Sequence, residues 1–495
     1  MITLIKRIKA GTYYGIVIIM IGMLMACPLL ILPFYHNEIK YAPAFLLPAS
    51  ISVLIGSVIC ILRPYHKFKG NRWQPLIKEG SVPVLFVWLY AFFAGSVPFI
   101  MISDMSFTLS LFESVSGWTT TGLTVVDVSK LPHLLLLHRS FMQYCGGLGF
   151  VIMITTISGN PETMSLYNAE GHPDQLKPSL RGTARIIAKL YLGGLVLGIA
   201  AYCIAGMPPF EAICHTMSAL STAGFSTNTT SMAAYNNSAI NIITIVLMLV
   251  GASNFYIVFL TARGKIGTVL RESEVKFMAG LTISFSLLAA CNLYAEGKGS
   301  IGHCLMNGTF GVITTFTTTG YSLEKYAVWP AFSLGLLALL MIIGGSAGST
   351  AGGIKLLRAC LLLRITIDDL KQHLTPDRSV TSLTYRKHQT NLYISKRIKE
   401  NTIGFVIVYM LTLTAGILLI TLTSDCSLST AAFEFASALG TVGISNGLTG
   451  PHTNPATLYI EMFGMFLGRL EIIMVFVGLS TCVNQAGRFI FGQFR

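Results

Sequence analysis

The sequence predicts an all-α polytopic membrane protein, and three observations lead there. Hydrophobic residues make up 53% of the 495 positions and charged residues only 11%, against roughly 25% charged in ordinary soluble domains. A soluble domain cannot hide that much apolar surface. Several apolar runs reach the roughly 20 residues that a helix needs to cross a bilayer. Between those runs, one short Thr–Gly pattern occurs four times.

Ten spanning segments are read along the chain, near 12–34, 45–62, 82–103, 133–157, 186–206, 238–261, 275–295, 330–366, 402–423 and 456–482. The first follows Lys6, Arg7 and Lys9 and contains Leu24-Met25-Ala26-Cys27, which has the look of a secretory leader. Its apolar run continues through Pro28 to Phe34, too long for a leader core, so an uncleaved first helix is expected. The eighth segment is too long for one crossing and is interrupted by a glycine-rich stretch, Gly344–Gly353.

A net charge of +13 would suit nucleic acid, but the basic residues do not form one patch. They collect in alternate loops: Arg63, Lys67, Lys69, Arg72 and Lys78; Lys177, Arg181 and Arg185; Arg263, Lys265 and Arg271; and Lys371 to Lys399, with Arg378, Arg386, Lys387, Lys396 and Arg397. The positive-inside rule makes that side cytoplasmic, and both termini fall there. No nucleic-acid partner is expected. The opposite loops carry Asp104, Glu113, Asp127, Glu211, Glu296, Glu324, Asp425 and Glu434, with few basic residues, chiefly Lys40, Lys130, Lys298 and Lys325. An acidic outer face would concentrate cations at an entrance; equally, acids are simply tolerated on that side. The ten cysteines are scattered, mostly inside apolar runs, and no CxxC pair occurs. That argues against a zinc site or a disulfide framework.

Four of the outer loops carry a semi-apolar segment too short to span, followed by a nine-residue pattern. The copies are Ser116-Gly-Trp-Thr-Thr120-Thr-Gly122-Leu-Thr124, Ser218-Ala-Leu-Ser-Thr222-Ala-Gly224-Phe-Ser226, Thr314-Thr-Phe-Thr-Thr318-Thr-Gly320-Tyr-Ser322 and Ser437-Ala-Leu-Gly-Thr441-Val-Gly443-Ile-Ser445. They align without a gap. Each has a hydroxyl six before the glycine, threonine two before, a large apolar residue just after and a hydroxyl two after. Phe112-Glu113 and Phe433-Glu434 occupy one earlier offset in the first and fourth copies. A tight extracellular turn explains one such cluster but not four. Non-helical backbone at membrane depth survives only where it lines a polar cavity or is buried in protein. Glycine lets successive carbonyls point one way, and four such strands around an axis would give rings of oxygen ligands for a cation. The preceding short helix would aim its negative end at the cavity below. The unit reads helix, pore helix, filter loop, helix, written four times.

On these segments the chain resembles the TrkH/Ktr/HKT superfamily of potassium transporters, its TrkH branch above all. The resemblance also rests on Arg139 with Gln143-Tyr-Cys-Gly-Gly-Leu-Gly149, on Gly344-Gly-Ser-Ala-Gly348-Ser-Thr-Ala-Gly-Gly353 and on Gly468-Arg469-Leu470-Glu471. It implies four pseudo-symmetric units around one pore, after an N-terminal helix pair at 1–80, with repeats at 81–160, 161–270, 271–400 and 401–495. It implies a potassium filter at Thr120, Thr121 and Gly122; Thr222, Ala223 and Gly224; Thr318, Thr319 and Gly320; and Thr441, Val442 and Gly443. Glycine at all four filter positions favours potassium over sodium, since some plant members with serine at the first favour sodium. Ala223 departs from the second glycine common in that strand. The resemblance implies a gating loop containing Gly344, Gly345, Ser346, Gly348, Gly352 and Gly353, and a pore arginine, Arg469, beneath the filter.

Two of these features have other readings. The glycine stretch is reminiscent of a phosphate-cradling loop, but no strand precedes it and Lys355 lacks the required spacing. Small residues there also suit close helix packing. An intramembrane arginine is costly and functional by default; the alternative for Arg469 is a salt bridge to Glu471 or Glu461, although helical spacing makes neither an ideal same-face partner.

The resemblance further implies a homodimer in the lipid bilayer of a bacterial inner membrane, with a ring of cytosolic nucleotide-binding TrkA-type subunits docking near Arg364–Lys399. That basic stretch suits anionic lipid equally. The ion carried would be potassium, with no tightly bound cofactor. Competing functions are a sodium- or proton-coupled symporter, which needs buried ionisable residues that the sequence hardly shows beyond Arg469, and a non-conducting receptor or assembly subunit. No HExxH or similar set is present, so no enzyme is expected.

Overall fold

A computed structural model describes residues 13–62, 77–149, 180–374, 383–387 and 389–491. Lys6, Arg7, Lys9, Arg63, Lys67, Lys69, Arg72, Lys177 and Arg378, and the end of the fourth expected span, lie outside them.

Helices α1 (Tyr13–Ala26) and α2 (Ala42–Leu62) form the N-terminal pair. They meet through small residues: a Cβ on Gly56 would lie 2.6 Å from Gly15 O, and one on Gly22 would lie 2.8 Å from Ala49 O, the close approach that small residues permit between membrane helices. Pro28 cuts α1 short of its expected end, and Cys27–Ile31 is a 3-10 turn. In a second 3-10 turn, His36–Tyr41, Glu38 accepts from the backbone N–H groups of His133 and Leu134, both at 2.9 Å. Those are orphan donors at a helix start, so the pair is tied to the helix that begins there.

The same order of elements then recurs four times. First come α3 (Ile77–Ser103), pore helix α4 (Phe107–Trp118) and α5 (His133–Leu148). Second are α6 (Leu180–Ile204), pore helix α7 (Pro209–Leu220), α8 (Ser238–Ala252) and α9 (Phe255–Ala262). After a single turn, α10 (Ile266–Val269), come α11 (Ser273–Ala295), pore helix α12 (Ile301–Phe316), α13 (Ala331–Ile343) and α14 (Leu356–Leu374). Last are α15 (Lys396–Thr423), pore helix α16 (Leu428–Leu439), α17 (Pro455–Arg469) and α18 (Ile472–Phe491).

Three pore helices start at a serine N-cap. Ser106, Ser300 and Ser427 each accept from the N–H three residues on, at 3.4, 3.4 and 3.2 Å. The fourth, α7, starts at Pro208-Pro209, where a missing N–H costs nothing. A continuous apolar core surrounds these helices and includes Trp88, Phe112, Trp118, Phe310, Tyr321 and Phe433. Outward, α2 exposes Leu46, Leu47, Ile51 and Leu54, and α15 exposes Leu411, Leu418 and Leu422. These faces suit hydrocarbon.

Two readings are corrected. The spans expected at 238–261 and 456–482 are not continuous: α8 and α9 meet at 119°, and α17 and α18 at 106°. Asn254 breaks the first by capping α9, its side chain accepting from Tyr256 N; Glu471, at φ +63°, breaks the second. Hydropathy hides both because apolar residues continue on either side. The segment between α14 and α15 adds an element that the sequence analysis did not read. Its described part holds an antiparallel hairpin, β1 (Thr384–Lys387) and β2 (Thr390–Tyr393), with Thr384 opposite Tyr393.

Candidate ion filter and the loop beneath it

Each pore helix runs directly into its Thr–Gly segment, and the four segments share one backbone conformation. Thr120, Thr222, Thr318 and Thr441 have φ of 55°, 51°, 57° and 51°, and Gly122, Gly224, Gly320 and Gly443 have φ of 92°, 75°, 84° and 86°. A left-handed β-branched residue is a strained outlier, and here it occurs at the same position four times. Hydrogen bonds hold it. The N–H groups of Thr121, Ala223, Thr319 and Val442 donate to the carbonyls of Ser116, Ser218, Thr314 and Ser437 at 2.8–3.0 Å. These amides are thus occupied by the pore helix behind them, so the carbonyl oxygens are the groups left for a ligand. Exposure repeats too: each filter glycine and the hydroxyl two after it are partly accessible, while the intervening Leu123, Phe225, Tyr321 and Ile444 are buried.

The segments close a ring. A Cβ on Gly122 would run into the carbonyl oxygen of Ala223, one on Gly224 into that of Thr319, one on Gly320 into that of Val442 and one on Gly443 into that of Thr121. All lie inside 3.0 Å, nearer than real Cβ atoms come to another atom. Each glycine meets the next repeat's strand, and the fourth returns to the first.

The position nine residues before each glycine braces the filter from behind. It is Glu113, His215, Gly311 and Glu434. Glu113 accepts from Thr124 Oγ1 at 3.0 Å and Val125 N at 3.2 Å. Glu434 accepts from Ser445 Oγ at 2.6 Å and Asn446 N at 2.7 Å. His215 Nε2 lies 3.0 Å from Ser226 Oγ. So side chains of two kinds hold the equivalent hydroxyl, two after the glycine, in three of the repeats. At Gly311 a Cβ would strike Trp329 at 2.7 Å, and the ring fills the gap instead. The sequence showed this position in only two copies, because alignment by residue type cannot equate Glu with His. Glu113 and Glu434 are fully buried, which corrects their assignment to an acidic outer face. Asp127 lies in an exposed loop; hydrogen bonds from Ser129, then Lys130, hold its carboxyl below the usual range.

Two residues of α5 link the first and second strands. Arg139 donates to Glu113 Oε1 at 2.7 Å, to Thr124 Oγ1 at 3.0 Å and to Ser226 O at 3.2 Å, and stacks 3.9 Å from the Phe225 ring centroid. Gln143 donates to Ala223 O at 2.7 Å and accepts from Phe225 N at 3.2 Å and from Ser218 Oγ. Ala223, the departure noted in the sequence, is therefore a position whose carbonyl is held by a side chain.

The glycine-rich stretch lies against the inner ends of the filters. Thr350 Oγ1 is 2.9 Å from Thr222 Oγ1, and Gly352 N donates to Thr318 Oγ1 at 3.0 Å. A Cβ on Gly352 would strike Gly440 O and Thr441 Oγ1. One loop thus touches the strands of three repeats. It is pinched at its neck, where Gly344 (φ +70°) crosses Gly353 (φ +78°) too closely for a Cβ on either. It rests on the α8–α9 break: Ser346 N donates to Ala252 O at 3.0 Å and Asn254 Nδ2 to Ala347 O at 2.7 Å. Helix α13 precedes it, not a strand, which removes the phosphate-loop reading.

Arg469 is 6% exposed. The two acids weighed from the sequence are engaged elsewhere. Glu471 binds Arg358 at 2.9 Å, and Glu461 accepts from Thr449 at 3.0 Å. Arg469 Nη2 donates to Gly146 O at 2.6 Å and Gly147 O at 3.1 Å, at the C-terminus of α5, where carbonyls are otherwise unsatisfied and the helix dipole is negative. Gly146 in turn packs on Trp118 O, at the end of the first pore helix.

A family model described as TrkH, cation transport protein, matches residues 50–488. The chain is 29% identical over 479 residues to the Trk system potassium uptake protein TrkH of Escherichia coli strain K12, covering 94% of this chain and 96% of that one. It is 29% identical over 476 residues to the Trk system potassium uptake protein TrkI of Halomonas elongata, covering 93% and 94%. Among solved structures, the potassium transporter TrkH from Vibrio parahaemolyticus matches with a TM-score of 0.81 at 26% identity, covering 95% of this chain and 98% of that one.

Proposed function

The chain belongs to the TrkH family of cation transport proteins, and from that premise we propose that it takes up potassium through a pore at the ring of four filter strands. The observation that carries this is the cyclic contact of Gly122, Gly224, Gly320 and Gly443 with the next strand's carbonyl. Four strands in one conformation around an axis, with their amides turned back to the pore helices, offer stacked oxygen ligands to a dehydrated cation. The relatives named as potassium uptake proteins support potassium as the ion. Thr120 to Gly122 and their counterparts would line the filter. The loop Gly344–Gly353 would be the gate, and Arg469 would set a positive charge beside the path. The protein would sit in a bacterial inner membrane with both termini cytoplasmic, as a homodimer. Repeats would divide near 80, 160, 270 and 400, and TrkA-type subunits would dock on the basic cytoplasmic side.

The test is radiolabelled rubidium uptake into proteoliposomes of the purified chain, with potassium and sodium as competitors. Potassium should compete far better than sodium, and Gly122→Ser should weaken that preference. Equal competition by both ions in the parent protein would overturn the selective filter.

One observation favours a second reading, coupled symport. The sequence reads as poor in buried ionisable groups beyond Arg469, yet Glu113, Arg139, Lys355, Glu434 and Glu461 are all buried. Glu434 and Glu461 share a single hydroxyl, Thr449, at 3.0–3.2 Å. Proton entry that accompanies rubidium uptake, read with a dye inside the vesicles and lost in Glu461→Gln, would establish coupling through this pair. Uptake with no proton movement would dismiss proton coupling.

A further inference from the structure

The loop Gly344–Gly353 is held at Ala347 by two side chains from different repeats. Glu274 Oε1 accepts from Ala347 N at 3.1 Å, and Asn254 Nδ2 donates to Ala347 O at 2.7 Å. Both side chains are buried, at 8% and 4% exposure. Asn254 belongs to the break between α8 and α9. Glu274 stands in the first turn of α11, where a carboxylate is favoured by the helix dipole.

The two residues just before Glu274 are held from the cytoplasmic side. Ser273 Oγ accepts from Arg386 N at 2.9 Å, and Glu272 Oε1 accepts from Gln389 N at 2.9 Å. Arg386 is in β1 and Gln389 in its turn. The hairpin also packs on α14, the helix that leaves the loop: Tyr385 and Ile394 form a small core with Leu361 and Ile365, and Arg364 Nη1 donates to Thr384 O at 2.8 Å. Arg386 and Lys387 face Glu272 and Glu274 across a narrow crevice. One hairpin therefore grips both the helix head that holds Ala347 and the helix that continues from the loop.

We propose that Glu274 is a positioning residue for the loop, holding it under the filter through Ala347 N–H, and that the hairpin Thr384–Tyr393 sets Glu274 through Glu272 and Ser273. This rests on the reading of the loop as the gate. Moving the hairpin then draws on Glu274 and on α14 together, so a cytoplasmic displacement reaches the loop from both sides. Ion preference is expected to hold, because the loop's bonds to the strands, from Thr350 and Gly352, go to threonine hydroxyls.

The test is rubidium uptake into proteoliposomes of the full chain, with potassium and sodium competition read alongside, for variants that elute as one species. Glu274→Ala should raise uptake about tenfold, the worth of one hydrogen bond to a charged acceptor, with ion preference unchanged. Glu274→Gln, whose carbonyl still accepts from Ala347 N–H, should bring uptake back toward the parent. Asn254→Asp keeps the cap on α9 but turns an oxygen toward Ala347 O, and should also raise uptake. Glu272→Ala should raise uptake less and add nothing in the double variant with Glu274→Ala.

Gly353→Ala, which forces the neck apart, separates the two levels of failure. If it alters uptake while Glu274→Ala and Asn254→Asp do not, the positioning role is wrong and the gate stands. If all three leave uptake unchanged, the gate reading itself falls. A rise in Glu274→Gln equal to that in Glu274→Ala, or a changed ion preference, would mean general loosening and overturn the proposal. Additivity of Glu272→Ala with Glu274→Ala would overturn the link to the hairpin.

Discussion

Gly224→Ala isolates what the ring demands of its glycines. Gly224 has φ +75°, and a Cβ there would lie inside 3.0 Å of Thr319 O, whereas ordinary contact starts at 3.4 Å. The obstacle is backbone, so no rotamer relieves it, and one strand must shift by about an ångström or more. Thr319 cannot yield freely, since its N–H is bonded to Thr314 O at 2.8 Å. A second cost is the left-handed conformation itself, roughly 1–2 kcal/mol for an L-residue. Gly206→Ala provides the comparison: Gly206 has φ +95° and nothing within 4 Å of where its Cβ would stand, so it suffers the backbone cost alone. Both variants should lose about the same thermal stability from that cost, with a further drop in Gly224→Ala. Only Gly224→Ala should lose the preference for potassium, by tenfold or more, since tenfold needs only about 1.4 kcal/mol of differential binding. The assay is rubidium uptake against sodium and potassium, with thermal melting of each purified variant. If Gly224→Ala keeps the parent's preference and melts like Gly206→Ala, the strands do not form the ligand ring.

Two further substitutions probe what surrounds the ring. Arg139→Ala leaves the buried Glu113 without its cation, and a broken buried pair costs about 3–5 kcal/mol; the melting temperature should fall sharply, while the double variant Arg139→Gln with Glu113→Gln should recover part of it. Equal losses in the single and double variants would show that the pair is not the source. Arg469→Ala removes a charge beside the proposed path and frees two carbonyls of α5; rubidium uptake should rise, and unchanged uptake would remove Arg469 from the gate.

The repeated Thr–Gly conformation was legible because its residues are local. Threonine, glycine and the flanking hydroxyls are read in one stretch, and the structure gives all four stretches one conformation. The brace behind the filter was half legible. Phe112-Glu113 and Phe433-Glu434 stood out, but His215 does the same work with another chemistry, and at Gly311 the Trp329 ring takes up the space instead. The helix breaks at Asn254 and Glu471 were not legible from hydropathy, since a bend of 119° or 106° leaves the apolar average untouched. The Asn254 break carried a signal nonetheless: Ser253-Asn254 inside an apolar run is a capping residue with nowhere else to act. Arg469 showed its cost in the sequence but not its partners, because Gly146 and Gly147 lie more than 300 positions away.

The breaks matter because of what they uncover. A helix end leaves its last carbonyls without intrahelical donors, and the inner helices α5, α8 and α13 all end beneath the filter. Their carbonyls are taken by the glycine-rich loop, the residues just after it and Arg469. Arg469 takes Gly146 and Gly147; Thr350 N and Ser346 N take Gly251 at 3.3 Å and Ala252 at 3.0 Å; Ile354 N and Lys355 N take Ile342 and Ile343, both at 3.0 Å. These are oxygens at negative helix ends, the groups that would favour a cation in the cavity. With the loop and Arg469 in place, protein donors occupy them. On the proposed function, opening would therefore do two things with one movement, clearing the path and returning those oxygens to the ion.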